Sequence, residues 1–290
     1  MARGGAGKRM IGVFDSGLGG LTILRALHAR FPRQAFVYLG DQANAPYGDR
    51  PSAEVVAFTR AGVEQLFDRG ARLVVLGCNT ATAVALRALQ RDWLPQAQRP
   101  GCNVVGIVAP TVEAATQTPF SVTTPQYPQK NNRDVIGVFA TTRTIASGVY
   151  EEEIFKRCPR VTVVAQACPE LAAAIEAARP RESLDAIVAG TVAALMDRVG
   201  PRRLDRAILG CTHFSLVEDL FADHLPPGAR ILSQPEVVAD SLEDYLARHP
   251  EYAGHGEAGL RLFTTGDPET VRRAAALFWP EVARFERLRS

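Results

Sequence analysis

Two α/β domains of similar build, each a mainly parallel sheet between helical layers, are what this sequence predicts. Three observations carry the prediction. Short apolar runs alternate with longer amphipathic segments, and the alternation restarts near the middle of the chain. Each half also opens on the tetrapeptide IGVF and later reaches an apolar run that ends in Gly-Cys. Gly12 and Cys78 are 66 residues apart and Gly137 and Cys211 are 74 apart, so the halves read as an internal duplication. Pseudo-symmetric three-layer domains of this kind place a ligand site in the cleft between them.

The elements follow in order. RMIGVFD (9–15) is a run of buried-strand character, and the amphipathic 19–31 is a helix after it. AFVYLGD (35–41) is the next strand, 52–70 a helix, RLVVLGC (72–78) a third strand and 80–93 another helix. In the second half DVIGVFATT (134–142) matches the opening strand, followed by a helix over 145–158 and strand 161–168. A helix over 182–200 then leads to the strand RAILGCT (206–212). Near the end a strand at 260–267 and a helix at 268–279 return to the first half. The expected domains are therefore 1–108 with 235–290, discontinuous, and 109–234. Between the halves, 116–132 is rich in Thr, Pro, Gln and Asn with one charge, Lys130, which predicts a mobile loop. The first eight or nine residues read as a flexible arm.

Composition excludes several classes. Of 290 residues 47% are hydrophobic and 22% charged, the balance of a globular protein. Thirty-three basic residues against 31 acidic ones give a net charge of +2, with the arginines scattered, so no nucleic-acid or membrane-surface partner is expected. No apolar run approaches the roughly 18 residues of a membrane span, and the basic start lacks a signal-peptide core. Five cysteines without a CxxC motif predict neither a disulfide framework nor a metal site, and point to the reducing cytoplasm.

In an open parallel sheet, ligands bind beyond the carboxyl ends of the strands. Five polar segments fall there: DSGLGG (15–20), GDQANAPYG (40–48), GCNTAT (77–82), ATTRT (140–144) and GCTHFS (210–215). DSGLGG lacks nucleotide-loop spacing, and Asp15 would repel a pyrophosphate. Cys102, Cys158 and Cys168 read as small buried hydrophobes. Cys78 and Cys211 differ, because each ends an apolar run and precedes hydrogen-bonding side chains and a helix, whose N-terminal dipole favours thiolate. SLVE (215–218) has capping-box spacing for that second helix. Either cysteine alone reads equally well as packing; the matched pair reads as function.

Two thiols in one cleft have three uses. A redox or metal pair prefers closer spacing or more ligands than His213 supplies. A Cys211–His213 hydrolase needs nucleophile and base to meet from positions two apart at a turn. The third use is symmetric: one thiol takes a proton from a carbon and the other returns one to the opposite face. That is cofactor-free racemisation of an amino acid, with one cysteine starting as thiolate and the other as thiol. Asp15 and His213 are candidate proton acceptors or orienters for the pair. A non-catalytic amino-acid-binding protein remains an alternative at this level.

GVFDSGLGGLTIL, GDQANAPYG, GCNTAT and GCTHF, in this order, resemble the glutamate racemase family, and FTTGDPE near the end extends the likeness over nearly the whole chain. The resemblance implies Cys78 and Cys211 as the catalytic acid/bases, assisted by Asp15 and His213. It further implies a substrate site of Asp15, Ser16, Tyr47, Gly48, Asn79, Thr80, Thr141, Thr144, Thr212 and His213, with Glu176 as a supporting carboxylate near Cys211. It implies L- and D-glutamate as substrates, with another small acidic amino acid such as aspartate as the alternative. No cofactor, a cytoplasmic homodimer and a supply of D-glutamate for peptidoglycan complete the expectation. The chain departs from the family in its longer 116–132 segment and in Glu170, where an apolar residue is commoner.

Overall fold

The computed structural model describes residues 9–288 apart from 120, 123, 130, 132 and 255–257. The expected N-terminal arm at 1–8 and Lys130 lie outside the described residues. Among the described residues ten strands run in the order β1 (Met10–Asp15), β2 (Ala35–Gly40), β3 (Ala71–Leu76), β4 (Asn103–Gly106), β5 (Val135–Ala140), β6 (Thr162–Ala167), β7 (Arg206–Leu209), β8 (Arg230–Leu232), β9 (Gly259–Thr264) and β10 (Phe285–Arg287). The α-helices between them are α1 (Gly20–Arg30), α2 (Ser52–Asp68), α3 (Asn79–Ala88), α4 (Val108–Thr116), α5 (Thr142–Ala146) and α6 (Val149–Phe155). They continue with α7 (Leu171–Glu176), α8 (Arg181–Val199), α9 (Glu218–His224), α10 (Gln234–Arg248) and α11 (Pro268–Ala275).

The strands form two sheets, in the orders β10-β9-β2-β1-β3-β4 and β6-β5-β7-β8. Every pairing among the described residues is parallel. Both IGVF strands sit at the centre of their sheets, where apolar side chains are needed on both faces. Ile11 and Val13 point into a core with Leu21 and Leu24 of α1 and Leu242 of α10. Phe14 points the other way, among Val55, Val63 and Leu66 of α2 and Ala85 of α3. The second sheet is covered likewise, by α8 and α9 on one face and by α4 and α6 on the other. Each sheet therefore lies between two helical layers.

The duplication extends to single hydrogen bonds. Gly12 pairs with Val74 and Gly137 with Ala207, one position in each central strand facing the Gly-Cys strand. Past the strand ends, Gly77 N–H donates to the Phe14 carbonyl and Gly210 N–H to the Phe139 carbonyl, both at 2.7 Å. Asp41 N–H to the Asp15 carbonyl is matched by Cys168 N–H to the Ala140 carbonyl. Two short sequence matches thus mark one repeated unit.

Several boundaries differ from expectation for local reasons. The single helix predicted over 145–158 is two, α5 and α6, broken at Gly148, whose φ of +65° only glycine adopts readily. The helix predicted to run to Trp93 loosens after Ala88 into a π turn over Leu89–Trp93. Strands β4, β8 and β10, three or four residues long, are too short for a periodicity signal. Both Gly-Cys pairs lie one step beyond their strands, in the turns that follow. Segment 116–132 is tied down at its ends: Asn131 donates to the Thr116 carbonyl at 2.5 Å and Gln129 to the Arg157 carbonyl at 2.8 Å. Glu170 is exposed at the start of α7 and disturbs no core. Among the described residues no helix is long and apolar enough to cross a membrane.

Candidate active site

All five polar segments emerge from carboxyl ends of strands, and the two sheets turn these ends toward each other. Cys78 caps α3, its Sγ accepting the Ala81 N–H at 3.4 Å, and the same sulfur lies 3.3 Å from Ser16 Oγ in the turn after β1. Cys211 leads instead into a 3₁₀ turn over Thr212–Val217. The capping box expected at 215–218 does not form, because Ser215 Oγ donates back to the Thr212 carbonyl at 2.8 Å. Both cysteines are free thiols and buried, at 6% and 7% exposure.

The two sulfurs sit in unlike surroundings although their backbones are matched. Burial pushes the Cys78 thiol up to about 12, and the charges of Asp15 and Cys211 push the same way against the hydrogen bonds from Ser16 and Ala81. The turns that carry the two thiols meet, since Gly19 lies against Thr212 and His213 and Thr80 against Thr141. Asp15 Oδ2 accepts N–H bonds from Gly20 at 2.9 Å and Gly17 at 3.1 Å, which shape the DSGLGG turn. Burial raises the Asp15 carboxyl above its ordinary range, with those bonds and His213 opposing. By the repeat Asp15 corresponds to Ala140, so the carboxylate belongs to one side only.

On the other side, Cys211 Sγ lies 3.6 Å from His213 Nδ1, and His213 Nε2 lies 2.7 Å from Glu176 Oε1. Burial works against the imidazolium, yet the bonds to Cys211 and Glu176 lift His213 well above the ordinary histidine value. Burial raises and the His213 bond lowers Glu176, with a net downward shift. The Glu176 side chain, 38% exposed, is therefore an imidazole partner rather than a free surface carboxylate. The charged pair contributes stability in a window set by both groups: present below the ordinary histidine pKa of about 6.5 and lost as pH rises through the elevated His213 value, and present above about 4.3 and lost as pH falls through the lowered Glu176 value. In Glu176→Gln the His213 imidazole loses its carboxylate and titrates at lower pH, which NMR of the ring reads directly; an unmoved titration contradicts the pairing.

Contacts across the two sheets close the site. Thr80 Oγ1 lies 3.0 Å from Thr141 Oγ1 and 3.2 Å from Thr144 Oγ1, and the last two are 3.0 Å apart. Three hydroxyls that can rotate their protons make a carboxylate-sized donor cluster without formal charge. A Cβ on Gly48 would lie 3.2 Å from the Thr141 Cβ, so the Tyr47–Gly48 backbone flanks this cluster. A Cβ on Gly19 would stand 2.3 Å from Thr212 Oγ1 and 2.6 Å from the His213 ring. Glycine at 19 is required by this approach, since its backbone is helical.

Two side chains named from sequence are directed elsewhere. The Tyr47 hydroxyl donates to Asp41 Oδ2 at 2.6 Å and its ring packs between Phe14 and Phe58, leaving only its backbone at the cleft. The Asn79 amide is consumed in a buried cluster with Gln234 and Tyr150. Sequence reasoning missed Tyr150, Gln234 and Thr111 because they come from three helices with no local motif; only tertiary structure joins them.

Comparison with known proteins agrees with this geometry. Residues 21–241 match the family model described as Asp/Glu/Hydantoin racemase. The chain is 52% identical to the glutamate racemase of Phenylobacterium zucineum and 50% identical to that of a Caulobacter species, in each case over 95% of this chain and 99% of the relative. Among solved structures, glutamate racemase isoform RacE1 of Bacillus anthracis superposes with a TM-score of 0.83 at 28% identity over 97% of both chains. The Thermus thermophilus glutamate racemase, solved with beta-chloro-D-alanine, gives 0.77 at 31% over 97% of both chains. With two thiols at matched strand ends of a duplicated fold, and likeness over nearly its full length, the chain belongs to the Asp/Glu/hydantoin racemase family.

Proposed function

We propose that this enzyme interconverts L- and D-glutamate by proton transfer between Cys78, Cα of the substrate and Cys211. One observation supports the reading: equivalent turns of two duplicated sheets carry two buried free thiols, and these turns meet through the Thr80–Thr141 and Gly19–Thr212 contacts. A thiolate removes the α-proton, and the electron pair left on Cα spreads into the α-carboxylate. The thiol on the opposite face then gives its proton to Cα, which inverts the centre and exchanges the states of the two sulfurs. Cys78, kept as thiol by burial and by Asp15, is the donor in the state described here.

The hydroxyl cluster of Thr80, Thr141 and Thr144 and the N-terminus of α3 supply donors for one carboxylate. Thr212, the Tyr47–Gly48 backbone and Ser16 are the remaining donors, and Asp15 is an acceptor for the ammonium. The buried donors hold the developing negative charge without the reorganisation that water would need.

Domain limits of 1–108 with 235–290 and 109–234 are supported by the chain crossing between sheets just after β4 and again just after β8. A cytoplasmic homodimer that feeds D-glutamate to peptidoglycan is the setting this reading carries with it. The test is purified protein with L-glutamate in heavy water and no added cofactor. Optical rotation decays to zero while the D-enantiomer appears with deuterium at Cα. Retained rotation overturns the reading.

A further inference from the structure

Behind the thiols lies a fully buried polar cluster that no step above uses. The Tyr150 hydroxyl on α6 donates to Asn79 Oδ1 at 2.7 Å. Asn79 Nδ2 donates to Gln234 Oε1 at 2.6 Å, and Gln234 Nε2 lies 3.0 Å from Asn79 Oδ1 and 2.9 Å from Thr111 Oγ1. Thr111 in turn donates to the Ile107 carbonyl at 2.7 Å. Asn79, Thr111 and Gln234 are each at most 3% exposed, as is Tyr150.

The location of each partner decides what the cluster does. Asn79 follows Cys78 directly. The Tyr150 ring lies against Gly210, which precedes Cys211: a Cβ there would come within 3.1 Å of Tyr150 Cε2. Ile107 and Gln234 mark the two places where the chain passes from one sheet to the other. One hydrogen-bonded knot therefore touches both cysteine turns and both crossings. Four buried amide and hydroxyl groups in an apolar setting are costly unless all are paired, and here the pairing is closed, so the geometry is rigid.

We infer that Tyr150 and Gln234 are positioning residues that set the separation of the Cys78 and Cys211 turns, and so decide whether the second thiol can complete an inversion that the first begins. The inference rests on the two-thiol reading above. Burial keeps Tyr150 well above the ordinary tyrosine pKa, so its hydroxyl stays a neutral donor across the working range. Asn79, expected from sequence to line the substrate, acts here through its side chain as the link between knot and thiol turn.

Racemisation needs both thiols in register, whereas β-elimination of chloride from a 3-chloroglutamate needs one. In that elimination a thiolate takes the α-proton, the Cα–Cβ double bond forms and chloride leaves with the C–Cl electron pair. Tyr150→Phe keeps the ring against Gly210 and removes only the hydroxyl. The expected result is a 10- to 100-fold lower kcat for racemisation with KM within about threefold, and elimination reduced far less, since small misplacements of reacting groups carry penalties of that order. Thr111→Val, at the far end of the knot and nearly isosteric, shifts the racemisation-to-elimination ratio the same way by a smaller factor. It carries the test if Tyr150→Phe fails to fold by circular dichroism. Equal loss of both activities, or no loss of either, overturns the inference. Failure of the wild-type enzyme to racemise glutamate overturns the functional reading instead, so the two failures are distinct.

Discussion

Replacing Cys78 or Cys211 by alanine lowers kcat for glutamate racemisation by about 10³-fold or more, within the range seen when a positioned proton-transfer group is removed. The two losses do not add. Each single variant already breaks a relay that requires both sulfurs, so Cys78→Ala/Cys211→Ala is no slower than the worse single variant. Folding survives, because each substitution removes one sulfur from the border of a large core rather than its centre. Decay of optical rotation from each pure enantiomer measures the effect, beside a thermal melt. A single variant within tenfold of the wild type would sink the two-thiol mechanism.

Gly19→Ala carries the next largest effect, at least a 10²-fold fall in kcat/KM, although residue 19 bears no reactive group. Its new methyl would collide with Thr212 Oγ1 and the His213 ring, at 2.3 and 2.6 Å, on the opposite sheet. Relief requires moving His213 off Cys211 and Glu176, or opening the gap between the sheets. Overpacking of this sort costs about 1–3 kcal/mol. Steady-state kinetics with both enantiomers, alongside a denaturant titration, separates lost activity from lost fold. Wild-type kinetics in the variant would mean that the sheets do not meet at this spacing.

These two substitutions differ in how readable they are from the chain alone. Cys78 and Cys211 are legible because the duplication writes the same Gly-Cys turn twice, and a repeated strand-end cysteine is hard to attribute to packing. Asp15, Ser16 and the threonines of 140–144 are legible on other grounds, as polar residues at predicted strand ends. Glycine 19 reads from sequence as loop chemistry, and only the opposing sheet reveals that the missing Cβ is what permits contact. Tyr47 and Asn79 show the converse: their motifs are right, but their side chains serve Asp41 and the Tyr150–Gln234 knot.

By itself the sequence determined the α/β class, the repeat and the pair of thiols, because apolar periodicity and strand-end polarity are local properties that a chain displays in its order of residues. Tertiary structure alone decided the asymmetry of the site. Asp15 acts on the Cys78 side and the His213–Glu176 pair stands beside Cys211, so the charges around the two sulfurs differ. Desolvation and charge–charge interaction depend on distances between segments that are remote along the chain, and such distances exist only once the carboxyl ends of the two sheets have come together.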